Sequence, residues 1–470
     1  MLTLAVETLV EVVAGQLVTG SEDAMVNGLV TDSRDVDPGM AFVAFRGVSA
    51  DGHDHLEQAV SHGARALIVT RSPGDIAAAV EVAERAGIAV VRVPDALKAV
   101  QALAAHHRDR LFCPVIGVTG STGKTTTKDF ITSVLSTRLR VTATLGNQNN
   151  ELGVPLTLIR AGADTDVLVV EMAMRGSGQI AQLCEIARPT MGLVTNVGTS
   201  HIELLGSEEA IASAKGELVE AVPPEGMVFL NSDDVRSAPL ADRARAQVVL
   251  YGLGEECEIC ARDVTVDADS RPSFELVTPG GTRRVTLAIP GRHNVYNALA
   301  AAAVARNVGV PLDDIISGLE SAEITGMRMQ VFESATGIHV INDAYNANPT
   351  SMRAAVETLA GMSVAGRRVA VLGDMAELGS LAELAHFHIG EEIARSGIDT
   401  LVTVGELGAR FADGARAAGM DTEAIRPCVT VDEASEVLDD LLSPGDVVLV
   451  KASRVMGLER VVEAIVEPHV

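Results

Sequence analysis

The amino-acid sequence predicts an α/β fold in three units, at about 1–105, 106–325 and 326–470. Three observations carry this. Short β-branched runs alternate with segments of helical period throughout, the pattern of sheets covered by helices. One strand-to-helix junction, Ile116-Gly117-Val118-Thr119-Gly120-Ser121-Thr122-Gly123-Lys124-Thr125-Thr126-Thr127, is dense in glycine and hydroxyl side chains. The stretch from Val248 to Ile289 interrupts the alternation with short strands and little helix, a β-rich patch within the central unit.

The first unit opens on a predicted amphipathic helix, Leu2 to Leu17, which carries acidic residues and no basic lead, unlike a secretory signal. Val26 to Arg34 and Gly39 to Gly47 read as short strands broken by turn residues. A helix (His55 to His62), a strand (Ala66 to Val69), a helix (Ile76 to Ala86) and a strand (Ile88 to Val93) complete a small α/β domain. On local grounds Thr31-Asp32-Ser33-Arg34 is a polar turn. A helix from Ala96 to Arg110 leads into the central unit.

There, Pro114 to Val118 is an apolar lead-in strand, Gly120 and Gly123 shape a loop, and Lys128 to Leu135 alternates like a helix. Glycines let backbone N–H groups approach phosphates, and a helix N-terminus favours the anion. Lys124 would reach the terminal phosphates and the Thr125 hydroxyl would sit on Mg²⁺. The usual template wants glycine at 118, where this chain has Val118, so an ordinary glycine-rich turn stands as the alternative. The better reading is a P-loop mononucleotide-binding α/β domain.

A strand at Val141 to Thr144 precedes Gly146-Asn147-Gln148-Asn149-Asn150. Asparagines form turns, but the carboxyl end of a strand is also where open sheets bind ligands. Both readings stand. The strand from Asp166 to Glu171 ends in a carboxylate of the kind that holds Mg²⁺ or its water, with a satisfied strand-end acid as the alternative. Gly176 to Ala181 matches G-x-G-x-x-A weakly; the next strand, Met191 to Thr195, ends in Asn196-Val197-Gly198 without the acid a dinucleotide site needs, so that reading is rejected. His201 follows a strand end of the same sheet. Lys215, on the next helix, is solvated by default. Met227 to Leu230 is a strand, and Asn231-Ser232-Asp233-Asp234 looks like a helix cap. After the β-rich patch an alanine-rich helix runs to Val308, with Asn294 and Asn297 one turn apart on one face, placed to cap the helix or to hold a base edge.

In the third unit, strands at Met329 to Glu333 and Ile338 to Ile341 precede Asp343-Ala344-Tyr345-Asn346-Ala347-Asn348. Further strands at Val369 to Leu372, Thr400 to Val404, Cys428 to Val431 and Val447 to Val450 alternate with helices, a Rossmann-like, doubly wound domain. Gly373-Asp374-Met375-Ala376-Glu377-Leu378-Gly379 and Lys451-Ala452-Ser453-Arg454 lie at strand ends, as a second binding face or as solvated loops.

A net charge of −26 argues against a nucleic-acid or anionic-membrane surface. No apolar run reaches the roughly 18 residues of a membrane span. Five scattered cysteines form no disulfide framework, and Cys257-Glu258-Ile259-Cys260 is a lone CxxC without the second pair a zinc site needs. A reducing cytoplasm is expected.

Taken together, these motifs resemble the Mur ligase family, ATP-dependent amide-forming enzymes of peptidoglycan precursor synthesis, over essentially the whole chain. The family's own phosphate loop has the form Thr119-Gly120-Ser121-Thr122-Gly123-Lys124-Thr125, which accounts for Val118. Gly146 to Asn150, Asp343 to Asn348 and Gly373 to Gly379 look like the branch that joins D-alanyl-D-alanine to UDP-N-acetylmuramoyl-tripeptide. The Asn-Pro-Arg segment of the diaminopimelate- or lysine-adding branch is not found.

The resemblance implies roles residue by residue. Thr119 to Thr126 would cradle ATP, with Lys124 acting in catalysis. Thr125, Glu171 and His201 would surround Mg²⁺, and Lys215 matches a carbamylated lysine that holds a second ion. Asn294 and Asn297 match nucleotide contacts, and Arg328 and Asp343 third-unit contacts to the same nucleotide. Ser33, Arg34 and Phe45 lie in segments that hold the uridine. Asn147, Asn149, Asn150, Asn346 and Asn348 fall on the substrate side, and Asp374, His386, Lys451, Ser453 and Arg454 in motifs facing the incoming amine. The implied reaction phosphorylates the tripeptide carboxylate and lets the dipeptide amine attack the acyl phosphate, in a cytoplasmic, monomeric enzyme that binds no nucleic acid and inserts in no membrane. The alternatives are a related amide ligase, diaminopimelate- or lysine-adding or folylpolyglutamate-forming, and a P-loop ATPase switch.

Overall fold

Runs of valine and isoleucine without polar alternation make strands buried on both faces, and Val115–Thr119 is such a strand, buried at every residue. In the structure, a computed structural model describing residues 1–47 and 50–466, it lies inside a nine-stranded sheet. The order runs Gly281–Thr286, Pro272–Thr278, Ile259–Val266, Gln247–Gly252, Met227–Asn231, Met191–Val194, Val115–Thr119, Val167–Glu171, Val141–Ala143. All pairs are parallel from Val141–Ala143 to Ile259–Val266, and the last two are antiparallel. The β-rich patch is therefore an extension of the central sheet's far edge.

One face of this sheet is covered by helices Lys124–Ser136, Asn294–Val308 and Leu312–Glu320, with Ile116, Phe130, Val134 and six buried alanines, 298 and 300–303 and 305, in one core. The other carries Gly153–Arg160, Gln179–Ala187 and Glu208–Ala221. Helix Ala96–Arg108 packs on Gly153–Arg160 and joins this core to that of the N-terminal sheet.

The N-terminal sheet has the order Gln16–Thr19, Ala89–Arg92, Ala66–Val69, Ala41–Val43, Leu29–Val30, parallel except at its first pair. The single helix expected over Leu2 to Leu17 does not form. Thr3–Ala5 pairs with Met25–Asn27, the helix is confined to Val6–Val12, and Gln16–Thr19 is a strand. Ala14, in the left-handed region at φ 47°, ends the helix.

The C-terminal sheet runs Gln330–Glu333, His339–Asn342, Val447–Lys451, Arg368–Gly373, Thr400–Val404, Ile425–Cys428 and is parallel after its first pair. The strand expected at Cys428 to Val431 lies three residues earlier. Thr430 accepts from Glu433 N to cap helix Val431–Leu441, so the strand must end first, and Pro427 is tolerated because this is the edge. Residues 467–470 of the expected third unit lie outside the described residues. Among the described residues no helix is long and apolar enough to cross a membrane. The strand ends Thr119, Glu171, Asn342 and Lys451 lead into loops that face one another.

Candidate active site

The phosphate-loop helix starts at Lys124 behind Gly123, whose φ of 76° suits glycine. A Cβ at Gly123 would stand 2.5 Å from Asn297 Oδ1, and one at Gly120 only 1.8 Å from Thr195 Oγ1. The chain thus requires both glycines. Asn196, at the end of the neighbouring strand, holds the loop: its Oδ1 accepts from Thr122 N (3.0 Å) and Thr122 Oγ1 (3.1 Å). Lys124 Nζ donates to Gly120 O at 2.8 Å. Burial pushes the Lys124 amine below its usual range; Glu171 opposes this and Arg328 adds to it.

Glu171 ends its strand beside this helix. Its Oε2 accepts from Thr125 Oγ1 and its Oε1 from Asn149 Nδ2, both at 2.8 Å. Lys215 is 2% exposed on Glu208–Ala221, and burial, then Lys124, lowers its amine well below the ordinary lysine value. His201, at φ 64°, lies 2.5 Å from Glu377 Oε2 through Nδ1, out of line for a hydrogen bond. Burial lowers its pKa, Glu377 opposes this, and Lys124 and Lys215 lower it further.

A cavity of about 890 Å³ runs from the phosphate loop to the third unit. It brings together Ser121, Thr122, Gly123, Lys124, Thr125, Thr126, Glu171 and His201 with Asn147, Asn149, Asn150, Asn294 and Asn297. From the third unit come Arg328, Asp343, Asn346, Asn348, Lys451, Ser453 and Arg454. Several of these are already engaged. Asn297 Nδ2 donates to Asn294 Oδ1 (2.8 Å) and its Oδ1 accepts from Thr127 Oγ1 (3.1 Å), so the pair ties the alanine-rich helix to the phosphate-loop helix. Asn150 Oδ1 accepts from Gly153 N (2.9 Å) at the start of the next helix. Lys451 Nζ lies 2.5 Å from Asp343 Oδ2 and donates to Asn346 O at 3.0 Å. Ser453 Oγ accepts from Ala376 N (2.8 Å). Arg328 stacks over Tyr345, 4.0 Å from the ring centroid.

Other expected residues lie elsewhere. Thr119, Gly120 and Lys215 sit behind the cavity wall, and Ser33, Arg34 and Phe45 belong to the N-terminal unit. There Ser33 Oγ donates to Gln58 Oε1 (2.8 Å), and Arg34 pairs with Asp32 at 2.6 Å. Asp374 is off the cavity, with Gly405 closing over its carboxylate. His386 does not face a substrate. It is fully buried against Phe411, its Nδ1 donates to Ala382 O (2.6 Å) and its Nε2 accepts from Met375 N (2.9 Å). Asn231-Ser232-Asp233-Asp234 caps only a short turn, through Asp234 Oδ1.

Sequence reasoning did not single out Asn196, Ser200, Tyr345 or Glu377. Asn196 was findable by the rule that already marked Glu171, position after a parallel strand; the others depend on which loops meet. The donor set fits a nucleotide and a hard cation. Glycines leave room at the loop, Glu171 and Thr125 supply oxygen donors with His201 beside them, and Arg328 Nε is buried without a hydrogen bond, while His201 Nδ1 lies against Glu377.

Comparison with known proteins bears on this arrangement. Residues 25–108 match the Mur ligase family, catalytic domain; 118–305 the Mur ligase middle domain; and 327–454 the Mur ligase, glutamate ligase domain. The chain is 36% identical to UDP-N-acetylmuramoyl-tripeptide–D-alanyl-D-alanine ligase of Bacillus subtilis, covering 99% of both. It is 40% identical to the protein of that name from Mycobacterium tuberculosis, covering 99% of this chain and 98% of the relative. Among solved structures it resembles MurF from Acinetobacter baumannii (TM-score 0.86, 31% identity, 99% of both chains). It also resembles MurF ligase from Thermotoga maritima in complex with ADP (TM-score 0.77, 28% identity, 94% of this chain and 97% of that one). With phosphate loop, strand-end carboxylate and buried lysine in one arrangement and relatives aligned end to end, the chain belongs to the Mur ligase family.

Proposed function

We propose that the chain is an ATP-dependent ligase joining D-alanyl-D-alanine to a UDP-N-acetylmuramoyl-tripeptide in peptidoglycan precursor synthesis. The observation that carries this reading is the single cavity in which the phosphate loop meets the polar strand ends of the third unit, together with end-to-end similarity to relatives of that name. Residues 1–105 bind the UDP moiety, 106–325 bind ATP, and 326–470 bind the amine. The cavity is lined by one chain, which supports a reading of the enzyme as a monomer, working in the cytoplasm where ATP and free thiols coexist.

The loop Thr119 to Thr126 holds the nucleotide phosphates, and Lys124 leaves Gly120 O to neutralise charge on the transferred group. Arg328 approaches the same phosphates from the third unit. Thr125, Glu171, His201 and Lys215 would hold Mg²⁺, which supplies charge neutralisation at the phosphoryl oxygens. Lys215 reaches its anionic form by carbamylation. Its neutral amine attacks CO₂, an N–C bond forms, one C=O π pair moves to oxygen and the nitrogen proton leaves to water. Burial favours that neutral amine.

The tripeptide carboxylate attacks the γ-phosphorus and ADP leaves. The neutral dipeptide amine then attacks the acyl carbon, the C–O bond to phosphate breaks and its electron pair leaves with the phosphate, and the nitrogen proton passes to water as the amide forms. Positioning and exclusion of water suffice, so no protein nucleophile is needed. Asn147, Asn149, Asn346 and Asn348 orient substrate polar groups, Ser33, Arg34 and Phe45 hold the uridine end, and Lys451 and Ser453 support the amine side.

The deciding experiment measures ADP formation with each substrate omitted in turn, and with glutamate or diaminopimelate replacing D-alanyl-D-alanine. ADP that requires both UDP-tripeptide and dipeptide is expected. ADP formed without the UDP-peptide would instead indicate an ATPase switch.

A further inference from the structure

The segment Gly198 to His201 touches the phosphate loop on one side and the third unit on the other. Ser121 Oγ accepts from Gly198 N (2.8 Å) and donates to Gly198 O (3.2 Å). Ser200 Oγ donates to Ser121 O (3.2 Å) and accepts from Asn348 Nδ2 (2.9 Å). Each hydroxyl has one proton to give, so the direction is set: amide N–H of Asn348, hydroxyl of Ser200, carbonyl of the phosphate loop. Asn348 cannot reverse its amide without loss, because its Oδ1 accepts from Ser351 N (2.9 Å) and caps helix Pro349–Gly361. The next residue, His201, faces Glu377 of the same unit.

We propose that Ser200 is a positioning residue that couples docking of the third unit to the shape of the phosphate loop. This rests on the ligase reading above. Phosphoryl transfer made before the amine-bearing unit arrives would expose an acyl phosphate to water; a loop whose geometry depends on docking suppresses that loss. The Ser200 hydroxyl is the joint, since removing it frees Ser121 O and leaves Asn348 Nδ2 without its acceptor.

The test compares Ser200→Ala, Ser200→Thr, Asn348→Asp and the double variant Ser200→Ala/Asn348→Asp. Aspartate keeps the capping acceptor and removes the donor, and the negative charge it adds is carried equally by the double variant. For Ser200→Ala a fall in kcat of about tenfold is expected, with KM for ATP changed by less than about twofold, the size of one lost hydrogen bond felt only in the reacting arrangement. Ser200→Thr should regain most of it. The double variant should be no slower than the slower single, the signature of one shared interaction. A Ser200→Ala kcat within about twofold of the unsubstituted chain, or additive losses in the double variant, would overturn the coupling. The ligase reading is judged separately, by whether the unsubstituted chain makes ADP only with both substrates. Should it fail, backbone hydrogen exchange of residues 119–126 with ADP bound, which needs no turnover, still decides. Exchange about tenfold faster in Ser200→Ala supports the coupling, and equal exchange refutes it.

Discussion

Thr125, on the first turn of the phosphate-loop helix, donates its hydroxyl proton to Glu171 Oε2 across 2.8 Å. The bond joins the loop to the end of the adjacent parallel strand, whose residues Val170 and Glu171 pair with Gly117 and Val118. With Asn149 on its other oxygen, Glu171 is held in one orientation beside the phosphate loop. Glu171→Ala is expected to lower kcat/KM for ADP formation by about 100-fold or more. Asn149→Ala, which frees one oxygen and leaves the Thr125 bond, should cost about tenfold or less. Steady-state kinetics with a coupled ADP assay measures both.

Lys124→Ala is expected to abolish ligation while leaving the fold intact, because its one hydrogen bond is to the loop's own Gly120 O. Unchanged thermal unfolding with turnover below detection would be the signature. Near-normal turnover would remove ATP from the mechanism.

Among the glycines, two positions separate crowding from backbone strain. Gly123 and Gly178 both lie in the left-handed region, at φ 76° and 81°. A Cβ at Gly123 meets Asn297 at 2.5 Å, whereas one at Gly178 has nothing within 4 Å. Gly178→Ala should therefore cost only the conformational term, about 1 kcal/mol. Gly123→Ala should cost more and also weaken ADP binding, as calorimetry and thermal melts would register.

Lys215 is a buried amine with no ion-pair partner among the described residues. Lys215→Met keeps its apolar stem and removes the amine, so the melting temperature is expected to hold or rise while activity disappears. Lys215→Ala should be rescued in part by added short carboxylates such as acetate, which replace the anion. Full activity without rescue would exclude a carbamate from the mechanism.

Acid should destabilise the fold through histidines that burial keeps neutral. The His293 pKa falls from 6.5 to about 4, first by burial, and His107 and His386 are lowered for the same first reason. In the unfolded chain these rings take up protons near 6.5 while the folded ones do not. Stability is thus complete above about pH 6.5 and declines as pH falls toward about 4. Carboxylates such as Asp32 and Asp166, held at about 2, lose their contribution only below 3.8. Melting temperature should drop between pH 7 and 5, with a shallower slope in His293→Gln.

The parts of the site legible in the sequence are those whose chemistry is local. Lys124, Thr125 and their glycines stand in one loop, and Glu171 closes a strand that its own valines announce. What could not be read joins distant positions: Ser200 and Asn348 are 148 residues apart, and Glu377 meets His201 only because two sheets turn their strand ends together. His386 misled for the converse reason. It stands in a polar stretch near a strand-end motif, yet its side of helix Ala382–Arg395 faces Phe411, with ring centroids 4.6 Å apart. The opening helix was overestimated because Leu4 and Val26 pack as neighbours in a strand pair that no local period reveals.

The segment leading into the third unit gives the last prediction. Asp129, in the second turn of the phosphate-loop helix, accepts from Thr325 N (2.8 Å) and Thr325 Oγ1 (3.2 Å). Lys128 Nζ lies 2.5 Å away from it, and both side chains are at least 90% buried. Just beyond Thr325, Met327 and Met329 hold left-handed backbones at φ 60° and 51°, on either side of Arg328. Asp129 thus anchors the segment that aims Arg328 at the cavity. Asp129→Ala leaves the Lys128 amine buried with only Thr144 O to donate to, and should cost about 3 kcal/mol or more. Asp129→Asn keeps one acceptor for Thr325 and should cost less, yet still loosen this segment. Denaturant unfolding gives the stability difference, and an ATP KM raised in Asp129→Asn without a matching loss of stability would show that Asp129 acts through Arg328.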